Sequence, residues 1–395
     1  MTVKTSARVA QVKPSATIAV STKAAELKAT GHDIVSLGAG EPDFDTPEHI
    51  RRAAIDAIND GQTKYTAVAG TPALLQAIIG KFERENKLHY SANEIIASTG
   101  AKQCIYNLLQ ALIDPEDEVL IPAPYWVSYP DMARLADGHP VIMNTTPDDG
   151  FKITARQLES SITDASRLLI MNSPCNPSGS TYTRREMRAL ADVLLQYPRV
   201  VIATDDIYEH IYWGDEPFCT ILNVCPELKS RTVVINGVSK AYSMTGWRLG
   251  YAAGPAELIK EMRKVQSQST TNPCSITQAA AVAALNGPQD SVKTMCAAFR
   301  QRHDYFVKAL DDLPGVTCLP ATGAFYALAS FQGVIDKMDD IGDDVELAAW
   351  LMEHAGVSMV PGTPFGAPGY LRASYATSMD NLQEAVARLD KALSR

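Results

Sequence analysis

The 395-residue sequence lacks the features that mark disulfide-rich, metal-binding and membrane proteins. None of its seven cysteines forms a Cys-x-x-Cys pair, and no two of its histidines are spaced as His-x-x-x-His. This argues against a disulfide framework and a metal site, and it favours a reducing compartment. No signal-peptide core opens the sequence, and its most apolar stretch, residues 276–285, is far too short to span a bilayer. We therefore expect a cytoplasmic protein.

Positive charge is also in the minority, because 36 lysines and arginines face 45 aspartates and glutamates, for a net charge of −9. Such a surface suits neither nucleic acid nor an anionic membrane. Three common site motifs are absent as well: Gly-x-Ser-x-Gly, the Walker sequence, and Gly-x-Gly-x-x-Gly after a first strand. Their absence argues against a serine hydrolase, a P-loop protein and a nicotinamide dehydrogenase.

Continuous apolar runs at 118–121, 167–171, 200–204 and 232–235 are typical of parallel strands buried on both faces. Between two of them, residues 184–195 have helical spacing after a capping-box pattern at Thr183 and Glu186. The alternation predicts an α/β fold with a mostly parallel, wound sheet. The chain is also longer than one core usually serves. We expect a large domain over residues 50–285 and a smaller α/β domain formed by residues 1–49 and 286–395.

The run from 236 to 250 is the most informative part of the sequence, because it places Lys240 after an apolar strand and Arg248 eight residues later among small residues. A desolvated lysine amine loses its proton and attacks carbonyls. An arginine offers a fixed fork for a phosphate. An aldehyde-seeking amine beside a phosphate anchor is what pyridoxal 5′-phosphate requires. The alternative is a surface lysine in a glycine-rich turn.

Other candidates follow predicted strands, where ligands bind in open α/β sheets. Residues 100–102 lie between an apolar strand and an apolar helix, so their backbone N–H groups could cradle a phosphate, although a plain N-cap turn is the commoner use of such a segment. Asp205 ends the run 200–204 and could keep a pyridine nitrogen protonated, or it could cap a following helix.

Several polar and aromatic side chains could complete such a site. Tyr208 and Asn176 could hydrogen-bond a phenolic oxygen of the cofactor, although an asparagine between prolines is often only part of a turn. Trp126 offers a face for stacking, or a core side chain. Arg372 could clamp a substrate carboxylate or form a buried ion pair. Gly40 could bring a backbone N–H close to the same substrate.

With these residues in place, the sequence resembles the class I aminotransferases of pyridoxal-phosphate fold type I, and within them the bacterial aspartate aminotransferases of subgroup Ib. The resemblance runs from residue 13 to Arg372. It rests on Gly-Ala-Gly-Glu-Pro-Asp-Phe at 38–44, Ala-Pro-Tyr-Trp-Val-Ser-Tyr-Pro at 123–130, Asn-Pro-Ser-Gly at 176–179, Asp-Asp-Ile-Tyr at 205–208, and the run around Lys240.

The resemblance implies a role for each matching residue. Lys240 would be the Schiff-base lysine and proton shuttle. The cofactor would be bound by Ala101, Lys102, Trp126, Asn176, Asp205, Tyr208 and Arg248, with Tyr65 contributed by the second subunit of a homodimer. The amino-acid substrate would be bound by Gly40, Trp126, Asn176 and Arg372.

Some members of this subgroup also transaminate prephenate, and residues 12–17 are similar to the segment that those enzymes carry. Lys13, Ser15, Thr17 and Lys102 are therefore candidates for binding a second carboxylate, although such clusters are also common on solvated surfaces. The sequence departs from the family at Asp206, where glutamate is usual, and at Gly237, where other subgroups have a phosphate-binding serine. The second departure leaves more of the phosphate binding to Arg248.

The resemblance implies amino transfer from aspartate to 2-oxoglutarate by a ping-pong mechanism, with small amino acids and 2-oxo acids as partners. Transamination of prephenate to arogenate is a second activity that the resemblance allows, and an aromatic or alanine aminotransferase is an alternative on the same scaffold. So is a pyridoxal-phosphate β-elimination or decarboxylation. A non-catalytic pyridoxal-phosphate sensor is disfavoured, because the sequence is acidic and offers no separate N-terminal DNA-binding module.

Overall fold

A computed structural model describes residues 3–394 of the chain. The described strands are β1 Val35–Ser36, β2 Ile95–Ser98, β3 Glu118–Pro122, β4 His139–Met143, β5 Ser166–Asn172, β6 Val201–Asp205, β7 Thr232–Gly237, β8 Gly250–Ala253, β9 Thr317–Cys318, β10 Tyr326–Ser330, β11 Val357–Ser358, β12 Val360–Pro361 and β13 Tyr370–Ser374.

The described α-helices are α1 Ala7–Ala10, α2 Ala16–Ala29, α3 Glu48–Asn59, α4 Pro72–Lys81, α5 Ala101–Leu112, α6 Ser128–Leu135, α7 Ala155–Ser161, α8 Arg184–Leu194, α9 Ile221–Val224, α10 Ala256–Ser267, α11 Ser275–Asn286, α12 Asp290–Asp311, α13 Gln332–Ile335, α14 Asp344–His354 and α15 Met379–Leu393. A π-helical turn, Phe82–Asn86, continues α4. Three short 3₁₀ helices span Ala92–Glu94, Pro226–Arg231 and Thr363–Phe365. Over residues 3–394, no helix is both long enough and apolar enough to cross a membrane.

The largest sheet has seven strands in the order β2-β8-β7-β6-β5-β3-β4. Six strands run in the same direction, and β8 alone is antiparallel to its neighbours β2 and β7. The four predicted apolar runs are strands β3, β5, β6 and β7 of this sheet. The mixed, mostly parallel sheet confirms the predicted α/β class.

Both faces of this sheet are buried, which explains why the strands read as continuous apolar runs. Alternate residues of each strand enter different cores: in β3, Leu120 packs into one cluster, and Val119 and Ile121 into another. Helix α8 covers the first of these faces with Met187 and Leu190. Its predicted capping box is present.

A second group of strands lies later in the chain. Strands β12-β13-β10-β9 form an antiparallel sheet, and β1 pairs with β11 in parallel. Helices α12, α14 and α15 contribute apolar side chains to one core with these strands. The seven-stranded sheet falls between residues 95 and 253, and the four-stranded sheet between 317 and 374. The domain boundaries at residues 49/50 and 285/286 stay a prediction.

Candidate active site

A cavity of about 300 Å³ lies where the parallel strands of the large sheet end. Strands β5, β6 and β7 lead into it at Asn172, Asp205 and the loop after Gly237. Twelve of the predicted site residues line it: Ser15, Thr17, Gly40, Ala101, Lys102, Trp126, Asn176, Asp205, Tyr208, Lys240, Arg248 and Arg372. The fold therefore brings together side chains that are spread over most of the sequence.

The two remaining predicted residues lie elsewhere. Lys13 lines a neighbouring cavity of about 1000 Å³, which shares Ser15, Lys102 and Arg248 with the smaller one. The side chain of Tyr65 is 90% exposed, so within one chain it contributes to neither cavity.

Lys240 lies on the loop between β7 and β8, with its amine inside the smaller cavity. Its Nζ donates a hydrogen bond to the carbonyl of Gly40 at 2.5 Å and lies over the rings of Tyr208 and Phe325, at 5.9 and 5.8 Å from their centroids. Burial, together with the charge of Arg372, lowers the pKa of Lys240 to about 8. A larger fraction of this amine than of an ordinary lysine is therefore unprotonated near neutral pH, as a nucleophile or base must be.

Asp205 is buried at the end of β6. Its Oδ2 accepts a hydrogen bond from the Tyr129 hydroxyl at 2.6 Å, whereas Oδ1 has no partner within the described structure. Burial raises the pKa of Asp205 to about 6, although the Tyr129 hydroxyl and the Ile207 amide oppose the rise. The chain continues into a turn, so the alternative of a helix cap is not supported. An unpaired carboxylate oxygen here suits a protonated ring nitrogen.

The start of helix α5 forms a cradle of positive potential. Gly100, at φ 90°, precedes the helix, and no side chain caps it. A Cβ on Gly100 would lie 2.5 Å from Nη2 of Arg248, so the guanidinium packs directly on this turn. Burial and the charge of Arg248 lower the pKa of Lys102. Two cations at a helix N-terminus favour an anion such as a phosphate.

Trp126 lies beside this cradle. The ammonium of Lys102 is 4.8 Å from the centroid of its ring, and Tyr129 packs edge-on against it at 5.4 Å. The indole is only partly buried and lines the cavity. It is therefore not a core tryptophan.

Arg372 lies on β13 and is 1% exposed. Its Nη2 donates to the carbonyl of Gly38 at 2.7 Å and its Nη1 to Oδ1 of Asn176 at 3.1 Å, while Nε has no partner in the described residues. In residues 3–394 no carboxylate forms an ion pair with this guanidinium, so the buried ion pair considered above is absent. A buried charge without a counter-ion is costly, and a ligand carboxylate would relieve that cost.

Three further residues belong to the site although the sequence reasoning gave them no role. Tyr129 binds Asp205, Asn172 donates to the Asp205 carbonyl at 2.7 Å, and the Tyr326 hydroxyl lies 2.8 Å from that of Tyr208. Tyr129 falls inside the 123–130 motif, and Asn172 ends β5 in register with Asp205 on β6. These were usable signals, whereas nothing in the sequence around Tyr326 indicates its position.

The residues present fit pyridoxal phosphate: a lysine amine with a lowered pKa, a carboxylate with a free oxygen, and an anion cradle share one cavity. Fold and site together fit the class of α/β enzymes that use pyridoxal phosphate. The family model for aminotransferase class I and II matches residues 32–389, and the chain belongs to that family.

Curated relatives align over nearly the whole chain. The chain is 54% identical to the aspartate/prephenate aminotransferase of Nitrosomonas europaea, over 99% of this chain and 100% of the relative. It is 52% identical to the enzyme of the same name from Cereibacter sphaeroides, over 96% of each. The crystal structure of the aspartate aminotransferase from Rhizobium meliloti superposes with a TM-score of 0.96, at 46% identity and full coverage of both chains. The Thermus thermophilus aspartate aminotransferase with maleate has a TM-score of 0.93, at 42% identity over 99% of this chain and 100% of that one.

Proposed function

We propose that the chain binds pyridoxal 5′-phosphate through Lys240 and transfers the amino group of aspartate to 2-oxoglutarate in two half-reactions. The observation that carries this is Arg372, a buried guanidinium without a carboxylate partner that lines the same cavity as the Lys240 amine. An α-amino acid has a carboxylate that Arg372 would bind and an amino group that would react beside Lys240. Relatives named as aspartate aminotransferases support this choice of substrate.

The bound cofactor supplies an aldehyde and a ring that accepts electrons from the bonds of the α-carbon. We infer that Asp205 keeps the ring nitrogen protonated through its free Oδ1. Tyr208 and Asn176 would hydrogen-bond the cofactor's phenolic oxygen, and Trp126 would provide a face for its ring. Ala101, Lys102 and Arg248 at the start of α5 would hold its phosphate.

The substrate is oriented by the residues around Arg372. The guanidinium holds the α-carboxylate, with Asn176 and the backbone at Gly40 beside it. Lys240 would take the proton from the α-carbon and give it back on the cofactor side, for which a pKa near the working pH is best.

Prephenate is a second candidate substrate, because of the larger cavity beside the site. It is lined by Lys13 and Ser15 and shares Lys102 with the smaller cavity, so a bulkier acid could extend into it and meet positive charge. Thr17 lines the smaller cavity, and its hydroxyl lies 3.4 Å from that of Ser15. Relatives named as aspartate/prephenate aminotransferases support the same assignment.

The test uses purified enzyme reconstituted with pyridoxal phosphate. Aspartate with 2-oxoglutarate should yield oxaloacetate and glutamate in equal amounts, and glutamate with prephenate tests the second substrate. Release of CO₂ from aspartate without glutamate formation would instead identify a decarboxylation, and release of pyruvate and ammonia from cysteine, which has a leaving group on its β-carbon, would identify an elimination. Borohydride reduction followed by peptide mapping should place the cofactor on Lys240. Label on another lysine, or unchanged turnover in Lys240→Ala, would overturn the proposal, and Lys264→Ala on the exposed face of α10 is the matched control.

A further inference from the structure

A buried polar cluster lies behind the site and is not part of its lining. It consists of Lys81, Asn86, Glu209 and Asn236, and the side chains of Lys81 and Glu209 are 0% and 4% exposed. The Lys81 ammonium donates to Oε1 of Glu209 and, at 2.7 Å, to Oδ1 of Asn86. The Asn86 amide donates to Oε2 of Glu209 at 2.7 Å. Both oxygens of one buried carboxylate are therefore satisfied by side chains.

The cluster connects segments that carry site residues. Glu209 directly follows Tyr208, and Asn236 lies on β7, four residues before Lys240. The Asn236 amide donates to Oε1 of Glu209 at 2.8 Å, and its Oδ1 accepts from the backbone N–H of Gly237 at 2.7 Å. One side-chain link thus joins the turn that bears Tyr208 to the end of the strand that leads to Lys240.

A metal ion is not needed to explain this cluster. Ligand atoms of Glu85, Glu209 and His210 approach one another within 4.8 Å, as in a metal site. The Lys81 ammonium, however, contacts Glu209 and lies 3.8 Å from Oε2 of Glu85, so it already provides the positive charge. Burial alone would raise the pKa of Glu209, but the charges of Lys81 and His210 outweigh burial and lower it. Glu209 is therefore ionised and paired at neutral pH.

Stability does not account for such an arrangement, because buried ion pairs can often be replaced by uncharged residues of similar size without loss of stability. What the pair does provide is a fixed position for the Glu209 carboxylate. That position in turn fixes the Asn236 side chain and the backbone at Gly237. Small displacements of reacting groups are costly to catalysis even when they originate outside the site.

We propose that Glu209, held by Lys81 and linked to Asn236, is a positioning residue that keeps the Tyr208 hydroxyl and the Lys240 amine in register across the cavity. The inference rests on the proposed function, because it concerns the reaction that these two groups serve. It assigns Glu209 no contact with substrate or cofactor.

Two double variants that differ in one side chain test the link. Lys81→Met with Glu209→Leu, the Leu form, removes both charges and the oxygen that accepts the hydrogen bond from Asn236. Lys81→Met with Glu209→Gln, the Gln form, removes the charges but keeps an amide oxygen that can accept the hydrogen bond from Asn236. We expect kcat of the Leu form to fall about 10- to 100-fold, with the KM for aspartate near the wild-type value, and the Gln form to regain most of kcat.

Absorbance of the bound cofactor gives a second readout that does not depend on turnover. In the Leu form, loss of the link to Asn236 changes the surroundings of the Lys240 nitrogen, so the pH midpoint of the absorbance change should shift, and the Gln form should stay near wild type. Thermal melting establishes which variants fold. Asn236→Ala breaks the same link while leaving the ion pair intact, and it replaces the Leu form if that form does not fold.

The inference would be overturned if a folded variant without the link kept the wild-type kcat and the wild-type pH midpoint of absorbance. It would also be overturned if kcat fell equally in the Leu and Gln forms. The wild-type enzyme is measured alongside. If it transfers no amino group, the proposed function fails and the inference fails with it. If it does, a negative result in the variants counts against the positioning role alone.

Discussion

The hydroxyl of Tyr129 is a single contact that influences the charge of Asp205. Burial raises the pKa of this carboxyl to about 6, and the hydrogen bond from Tyr129 limits the rise because it stabilises the ionised form. Asp205 can partner a protonated ring nitrogen only when it is ionised. Binding of the cofactor should therefore weaken as the pH falls through about 6.

Tyr129→Phe removes this hydrogen bond and should raise the pKa of Asp205 further. The acid limb of cofactor affinity should then shift to higher pH, with little change at pH 8 and above. The measurement is the Kd of pyridoxal phosphate for apoenzyme between pH 5 and 8.5, by fluorescence quenching. Taking the ratio of variant to wild type cancels the titration of the phosphate itself.

Tyr90→Phe is the control for this experiment, because Tyr90 is also buried but its hydroxyl has no hydrogen-bond partner among residues 3–394. Its affinity profile should match that of the wild type. An acid limb at the same pH in Tyr129→Phe and wild type would show that Tyr129 does not tune Asp205.

Most residues of the candidate site could be predicted from their type and their place in the sequence, whereas the contacts between them required the tertiary structure. Lys240, Asp205 and Arg372 were recognisable because each matches a position of the family resemblance, although each residue type alone has a common structural use. The 123–130 motif contains Tyr129, but the hydrogen bond from Tyr129 to Asp205 was not predictable, since the two residues lie 76 positions apart and no spacing rule relates them. The absence of an acidic partner for Arg372 likewise depends on the tertiary structure.

Helix α5 contributes to the site through its first turn. The positive φ of Gly100 turns the chain from β2 into the helix and leaves room for the Arg248 guanidinium. Arg248 is itself at φ 55°, and its Nη1 donates to the carbonyl of Thr245 at 2.9 Å. The turn and the arginine therefore depend on each other.

Gly100→Ala should displace Arg248 and strain the turn, and so weaken binding of the phosphate group. Hydrogen bonds to charged groups contribute about 1.5–3 kcal/mol, so the Kd of pyridoxal phosphate should rise about 10- to 100-fold. The Kd of pyridoxal, which has no phosphate, should change little. Both constants are measured by fluorescence quenching.

Gly246→Ala is the matched control in the loop before Arg248, because a Cβ there meets no atom within 4 Å and its φ is not positive. It should bind both compounds as wild type does. An equal loss for both compounds in Gly100→Ala would point to general damage at the site rather than to the phosphate cradle.

The strands of the large sheet were predictable because burial on both faces requires a continuous run of apolar residues in each strand. Strands β3, β5, β6 and β7 are apolar on both faces, and helix α8 carries its own capping box. The antiparallel insertion of β8 between β2 and β7 was not predictable, because a four-residue strand gives no indication of its direction or neighbours. The two-residue strands β9, β11 and β12 are too short to show a hydrophobic pattern in the sequence.

At the scale of the molecule, the exposure of Tyr65 bears on assembly. We propose a homodimer in which Tyr65 of the partner subunit helps to bind the phosphate. In a single chain the tyrosine is 90% exposed, and Ile55 and Ile58 on α3 are more than half exposed. An exposed tyrosine that follows exposed isoleucines closely in the sequence suits a surface that a second copy covers.

Complementation tests this arrangement. Tyr65→Ala and Lys240→Ala should each be impaired as homodimers at limiting cofactor. A hybrid of the two has one site with Lys240 from one subunit and Tyr65 from the other, so co-refolding should restore activity. Separately refolded variants mixed without subunit exchange serve as the control. Hybrids that stay as impaired as their parents would place Tyr65 outside the partner's site.

The parallel pairing of Val35 with Val357 sets an order of events during synthesis of the chain. Strand β1 leaves the ribosome early but has no partner until nearly all of the protein has been made. The large sheet needs only residues up to 253 and can form in the meantime. Closing so long a loop is entropically unfavourable, so Arg372 reaches its place beside Gly38 only in the last stage of folding. A nascent chain stalled before Val357 would contain Lys240, which we propose binds the cofactor, but not Arg372, which we propose binds the substrate carboxylate.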